Sequence, residues 1–439
     1  MTELVFHHDH QQLPAASDNL LPVQMYGCSG RNRGDISVIG NAVIDKIKRL
    51  CMFEKIPAQA IDFLSIALAV TAADTFVCRS QSADGWARQL SIRLPLHEPD
   101  RWNQVKQKLV SALHFLSGDI WAFEFLKGGF SPPEPYSPTG RRRLINLFNL
   151  DSVCLFSGGL DSAIGAIDFI KMDRKPLLVS HAYKGDKNHQ DQIAQLISGR
   201  FSRFAVNAYP GLAKFTKRKS DVTMRTRSFN FLAFGAIGAC AVQSINKLDK
   251  VELFVPENGF ISLNAPLTSR RIGSLSTRTT HPYFIDAIQE IFDAATIPCT
   301  IKNPYQFKTK GEMVRECKDE DVLQHVVNNT VSCSHWKRPH KQCGVCVPCI
   351  VRRAALHAGA LQENTDYQFN NISDVLNDEK RRDDLFAVSI AVAQRKKRKI
   401  GPWILDSGPL PPEEYRNYQR VFIRGLEEIE RFLKAEKIL

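Results

Sequence analysis

The chain has 439 residues, 44% of them hydrophobic and 24% charged, with a formal charge of +12. That length supports two or three domains with buried cores, and the composition is ordinary for a soluble globular protein. The start, MTELVFHHDHQQ, lacks the pattern of a secretory signal. The most apolar window, IDFLSIALAVTAAD (61–74), is bracketed by Asp62 and Asp74 and is too short for a bilayer, so a cytoplasmic protein with no membrane partner is expected. Basic clusters at Arg141–Arg143, Lys217–Lys219 and Arg395–Lys399 leave nucleic acid as a partner class. They are dispersed and lack interleaved aromatics, and read first as solvated loops.

In chain order, residues 1–126 show helical periodicity around 58–74 and 102–117 and strand-like alternation in RQLSIRLPL and DIWAFEF. The expectation is an N-terminal α+β accessory domain. KGGFSPPEPYSPTGRRR (127–143), with four prolines and three glycines, reads as a linker. From 144 to 400 the rhythm is strand then helix. Strands are predicted at 152–156, 176–182, 203–208, 251–256 and 298–303, and helices at 161–171, 188–199, 226–245 and 282–294. This alternation predicts an α/β, Rossmann-like, mainly parallel sheet covered on both faces. Ligands of such sheets bind beyond the carboxyl ends of the strands.

The first strand of that region runs into FSGGLDSA (156–163). Gly158 and Gly159 let backbone N–H groups approach an anion, Ser157 and Ser162 add hydroxyls, and Asp161 can cap the helix or hold Mg²⁺. The Walker pattern G-x-x-x-x-G-K-[ST] is absent. S-G-G-x-D-S closely resembles the signature of the PP-loop ATP pyrophosphatases, whose fold is a Rossmann-like HUP domain. The resemblance implies that Ser157, Gly158, Gly159, Leu160, Asp161 and Ser162 bind ATP, with Asp161 and Ser162 catalytic. It implies attack at the α-phosphate, an adenylated intermediate and release of pyrophosphate.

Further along, TMRTRSFNFLAFGA (223–236) opens a predicted helix with Arg225 and Arg227, candidates to neutralise phosphate. The segment ENGFISLNAPLTSRRIGSLSTRTTHPYF (257–284) is a donor-rich loop between a strand and a helix, and such loops are usually functional. Glu257, Asn258, Asn264, Arg271, Arg278 and His281 are its substrate-binding candidates. TKGEMV (309–314) contributes Lys310 as a catalytic candidate.

Eleven cysteines in such a chain argue against a disulfide framework, and seven of them stand singly, as small buried hydrophobes. The other four, Cys333, Cys343, Cys346 and Cys349, are spaced C-x₉-C-x₂-C-x₂-C, which suits one tetrahedral, structural Zn²⁺. A histidine, His335 or His340, in place of one cysteine and Fe–S ligation are the alternatives.

TVSC…CGVCVPCIVRRAAL and the preceding T-K-x-E resemble the 7-cyano-7-deazaguanine synthase family, over about 150–357. That family implies ATP, Mg²⁺ and Zn²⁺ as cofactors and a deazaguanine-type small molecule as substrate. The chain departs from it at 257–284, where the synthases carry an acidic, proline-containing segment. Residues 1–140 and 400–439 have no counterpart there; they resemble the longer synthase-like proteins of Qat-type anti-phage operons. That resemblance implies a carbon–nitrogen ligase-like enzyme that joins a deazaguanine to the N-terminus of a companion protein from the same operon. A tRNA-modifying PP-loop enzyme and a non-catalytic nucleotide-binding scaffold are the competing readings. The tail, 401–439, ends in an amphipathic helix expected to pack within the chain.

Overall fold

The computed structural model describes residues 1–27, 36–135, 144–183, 185–214, 220–221, 225–268, 278–335 and 341–439. The N-terminal part runs β1 (Thr2–His7), β2 (Leu20–Met25), β3 (Ser37–Ile39), α1 (Val43–Ile47), α2 (Ala58–Phe76), β4 (Gln89–Leu96), α3 (Pro99–Ser117) and β5 (Ile120–Lys127). Its five strands form one sheet in the order β3-β2-β1-β4-β5, with every pairing parallel. This corrects the α+β expectation for residues 1–126, since the unit is α/β. The reason is connectivity: α2 lies between β3 and β4 and α3 between β4 and β5, and such crossovers return the chain in its original direction. The strands β1, β2 and β3 fall where the sequence reading placed none.

The second sheet is built from β6 (Ser152–Leu155), α4 (Leu160–Lys171), β7 (Pro176–His181), α5 (Asp186–Leu196), β8 (Ser202–Val206), α6 (Arg227–Asn246), β9 (Val251–Phe254), α7 (Gly259–Leu263), α8 (Pro282–Ala294) and β10 (Cys299–Lys302). Its order is β10-β9-β6-β7-β8, again all parallel. Counted from its own first strand, each sheet therefore has the doubly wound order 3-2-1-4-5.

The two sheets share one hydrophobic core. Leu4, Phe6, Ile92 and Phe123 of the first and Val153, Leu155, Leu177 and Leu253 of the second belong to the same buried cluster as α2 and α6. The crossover helices between third and fourth strands, α2 and α6, pack on each other; so do those between fourth and fifth strands, α3 and α8. Both α2 and α6 are long and apolar enough to cross a membrane, but 89% and 78% of their apolar windows are buried in the fold. A helix apolar all round is explained by that burial.

Coverage of the outer faces differs. In the second sheet Cys154, Phe156, Leu178 and Phe254 lie in a separate buried cluster with α4. In the first, no α-helix among the described residues joins β1 to β2 or β2 to β3, and the outer face carries Glu3, Ser91, Arg93 and Glu124. There Arg93 pairs with Glu124 at 2.7 Å and Glu3 at 3.4 Å.

The chain ends in α9 (Lys310–Arg315), α10 (Glu320–Val326), α11 (Val347–Ala358), α12 (Arg382–Gln394), α13 (Ile400–Leu405) and α14 (Tyr415–Ala435). The amphipathic α14 lays Phe422, Leu426, Ile429 and Leu433 into a cluster with the four metal-type cysteines, packing against α7, α9, α11, α12 and α13.

Candidate active site and zinc centre

The loop between β6 and α4 is held by its own hydroxyls and by two neighbours. Ser157 Oγ accepts from the Gly159 N–H at 3.2 Å and lies 3.1 Å from Ser162 Oγ, which donates to the Gly159 carbonyl at 3.0 Å. Gly158 has φ of +85°, which a side chain would strain. The Val331 N–H donates to the Gly158 carbonyl at 2.9 Å, and the Gln190 amide of α5 donates to the Ser157 carbonyl at 3.1 Å. Gln190 and Val331 were not singled out in the sequence, because neither residue type carries a motif at its position.

Asp161 does not cap α4. Its carboxylate faces β9 and α9 instead, where Lys310 Nζ lies 2.7 Å from Oδ1 and the Asn258 N–H and side-chain amide reach Oδ2 at 3.1 and 2.7 Å. Both charged groups are buried, and unpaired each would cost several kcal/mol. Burial alone would raise the Asp161 pKa; the Lys310 charge and hydrogen bonds from Glu257 and Asn258 outweigh it and hold the carboxyl below its ordinary range. Glu257 goes the other way. Burial and the nearby Asp161 charge push it well above the usual carboxylate value, so it stays protonated and donates to Asp161. Asn258 also accepts from the Ile261 N–H at 3.0 Å, capping α7.

Lys310 opens α9 behind a capping box in which Thr309 and Glu312 satisfy each other's backbone N–H groups. Glu428 of α14 completes this turn, accepting from Thr309 Oγ1 and from the Gly311 N–H at 3.1 Å. A Cβ on Gly311 would stand 2.5 Å from that carboxylate, so a larger residue would push Glu428 off this turn. The signal for Glu428 in the sequence is an acid within the apolar stripe of an amphipathic helix.

Two cavities of about 420 and about 1190 Å³ meet at the loop and share Ser157, Gly159, Ser162, Pro256 and Glu257. The smaller lobe adds Arg227, Asp186, His189 and Phe231. The larger adds Asp161, Lys310, Asn264, Phe260 and, toward its mouth, Lys380 and Arg381. Pockets for small organic ligands are about 300–1,000 Å³, so the two lobes together can hold a nucleotide and a second substrate. The position is the topological switch point of the second sheet, between the carboxyl ends of β6 and β9.

The remaining candidates divide. Arg227 enters the smaller lobe and pairs with Asp186 at 2.9 Å, and Asn264 lines the larger one. Arg225 points away, stacked on Trp86 at 4.2 Å and donating to the Ser117 carbonyl at 3.2 Å. Arg278 lies over Phe115 at 4.6 Å and donates to its carbonyl at 3.0 Å. His281 caps α8, accepting from the Tyr283 N–H at 3.3 Å; burial and then the Arg278 charge lower its pKa to about 3, so it is neutral. None of these three lines either lobe. Arg271 lies outside the described residues.

Cys333, Cys343, Cys346 and Cys349 converge. Their sulfurs all lie within 4.8 Å of one another, with two pairs at 4.0 Å, and all four residues are buried. A tetrahedral ion with Zn–S bonds of about 2.3 Å sets sulfurs about 3.8 Å apart, so this donor set fits Zn²⁺. Backbone N–H groups of His335 and Cys343 reach Cys333 Sγ at 3.3 Å, and that of Cys346 reaches Cys343 Sγ at 3.3 Å, which favours thiolates. Four thiolates leave no open position for a substrate. The His335 ring lies beside the set, 3.9 Å from Cys343 Sγ, and His340 lies outside the described residues. The centre is tied to the glycine loop: fully buried Arg352 of α11 bonds the Val327 carbonyl and Thr330 Oγ1 at 2.8 and 2.5 Å, and the next residue, Val331, holds Gly158.

The family model of queuosine biosynthesis protein QueC matches residues 279–359, a span that includes Lys310 and the four cysteines. No curated protein matches the chain, and no solved structure does.

Proposed function

We propose that this chain is a PP-loop enzyme that adenylates a 7-deazaguanine carboxylate with ATP and passes the activated acyl group to an amine. The observation that carries this reading is the buried Asp161–Lys310 pair at the floor of a two-lobed cavity, beside a glycine loop at the sheet's switch point. The match of residues 279–359 to the QueC family supports the deazaguanine class of substrate. Mg²⁺ bound with ATP would be held by carboxylates at this site, Asp161 foremost, and would offset phosphate charge.

The residues divide the work. The backbone of Gly158 and Gly159, with Ser157 and Ser162, receives the phosphates, and Arg227 faces them from the smaller lobe. Lys310, fixed by Asp161, stabilises charge building on the α-phosphate as a substrate carboxylate oxygen attacks and the bond to pyrophosphate breaks. The acyl adenylate is then open to a nucleophile: an amine forms the C–N bond, loses a proton and expels AMP. Glu257, whose proton goes to Asp161, lines both lobes and offers an oxygen as acceptor to an N–H of the deazaguanine acid. The larger lobe has room beyond a nucleobase, in keeping with an amine at the N-terminus of a companion protein in an anti-phage system.

The test is to incubate purified chain with Mg-ATP and 7-carboxy-7-deazaguanine, with and without candidate amine donors. AMP and pyrophosphate are expected in equal amounts and dependent on the acid. Absence of both under all these conditions sinks the reading, and ADP formation would replace it with a kinase.

A further inference from the structure

We infer that Asp74, at the end of α2 in the N-terminal unit, is a positioning residue for the smaller lobe: it anchors the first turn of α6 and thereby aims Arg227. The inference rests on the reading of that lobe as part of the ATP site.

Arg227 is the first residue of α6, so its direction is set by how the chain enters that helix. Thr226, just before it, does not cap the helix with its own hydroxyl. Its hydroxyl and its N–H instead donate to Asp74 Oδ2, at 3.1 and 3.3 Å. A carboxylate there also offsets the positive end of the helix dipole.

Asp74 is in turn held by Arg88. Its Oδ1 lies 2.6 Å from a guanidinium nitrogen of Arg88, a buried residue that also bonds Asp119 at 2.7 and 3.0 Å and the carbonyls of Asp74 and Val77 at 3.0 and 2.7 Å. Two more bonds fix the approach to α6: the Asp221 N–H donates to the Thr75 carbonyl at 2.7 Å, and the Arg79 N–H donates to the Asp221 carboxylate at 3.0 Å. On its far side Arg227 meets Asp186 at 2.9 Å and lies over Tyr183 at 5.0 Å. The entrance to α6 is thus fastened to the N-terminal unit and its first side chain projects into the lobe of the second. Displacement of a binding group by about an ångström costs heavily in a preorganised site.

The experiment measures binding of Mg-α,β-methylene-ATP to the full chain by calorimetry, with the unfolding midpoint recorded for each variant. Arg227→Ala is the reference and should weaken binding about tenfold. Thr226→Val, which removes only the hydroxyl donor, should weaken it about fivefold while shifting the midpoint by less than about 2 °C. Thr226→Ser should restore binding, and Thr226→Val with Arg227→Ala together should be no weaker than Arg227→Ala alone. Asp74→Asn should follow Thr226→Val in binding. The inference is overturned if Thr226→Val and Asp74→Asn bind like the unaltered chain while Arg227→Ala does not, or if the double variant's losses add. Failure of the unaltered chain to bind at millimolar analogue would overturn the nucleotide reading itself, and this inference with it.

Discussion

The two parallel sheets have one strand order and opposite chemical content. After β6 the chain makes a turn with two glycines and enters the twelve-residue helix α4, so the start of that helix stands at the switch point. After β1, at the corresponding position of the first sheet, it reads His8-Asp9-His10. There Asp9 accepts from the Gln11 N–H at 3.0 Å and starts only a three-residue 3₁₀ turn, His10–Gln12. The doubly wound topology offers a place for a ligand in both sheets, but the residues at the first strand's turn decide whether an anion can be bound there. What the first sheet contributes lies on its inner face, where α2 and α3 support α6 and α8.

The sharpest way to break this contrast is to neutralise one acid at each switch point. Asp161→Asn should reduce acid-dependent AMP formation by at least about a thousandfold, because it frees Lys310 from its partner and alters the phosphate floor. Ser157→Ala checks the same loop without stranding a buried charge and should cost about tenfold. Asp9→Asn should leave the rate within about twofold, since its carboxylate serves only an exposed turn. Comparable losses at Asp9 and Asp161, read by AMP release, would place function at both switch points.

A smaller effect separates the halves through zinc. One equivalent per chain is expected by elemental analysis, and Cys343→Ser or a strong chelator should lower the unfolding midpoint by about 10 °C. The link through Arg352, Thr330 and Val331 to Gly158 means that ATP binding should fall with it. Amide exchange should rise in the loop and in α11 while staying slow in β1 and β4. Loss of protection in the first sheet to the same degree would show the two halves to be one cooperative unit.

The second unit was largely legible because its signals are local. Strand and helix periods, the glycine loop and the cysteine spacing each lie within a few residues, and the observed strands differ from the expected ones by one or two residues at their ends. The first unit was less so: β4, β5, α2 and α3 were marked, but among the described residues no α-helix separates β1, β2 and β3 to give a strand–helix rhythm, and their parallel pairing is a long-range property. The site shows the same division. Asp161, Glu257, Asn258 and Lys310 come from three separated segments that the sequence marked one by one, and the structure brings them together. Arg225, Arg278 and His281 have suitable chemistry but are turned to structural use by Trp86, Phe115 and the start of α8. Nothing local distinguishes them from Arg227.

The smallest effect compares two buried acids, one from each unit. Asp62 of α2 accepts from the His97 and Glu98 N–H groups and the Trp102 indole at 2.8, 3.0 and 3.1 Å, so its carboxylate is the anchor of that turn. Asp62→Asn offers one acceptor oxygen to three donors and should destabilise the chain at neutral pH, where the carboxylate is ionised. Glu257 is held protonated, its pKa raised well above 4.5 by burial and then by the Asp161 charge. The folded chain therefore keeps a proton that the unfolded chain releases near 4.5, so stability is lost as pH rises from that value through the folded pKa. Gln at 257 keeps the donor and does not titrate. The midpoint of Glu257→Gln minus that of the unaltered chain should accordingly grow between pH 5 and pH 8, reaching about 3 °C. A difference that is flat with pH, or that grows toward acid, would show that Glu257 is ionised in the fold and that Lys310 serves two carboxylates rather than one.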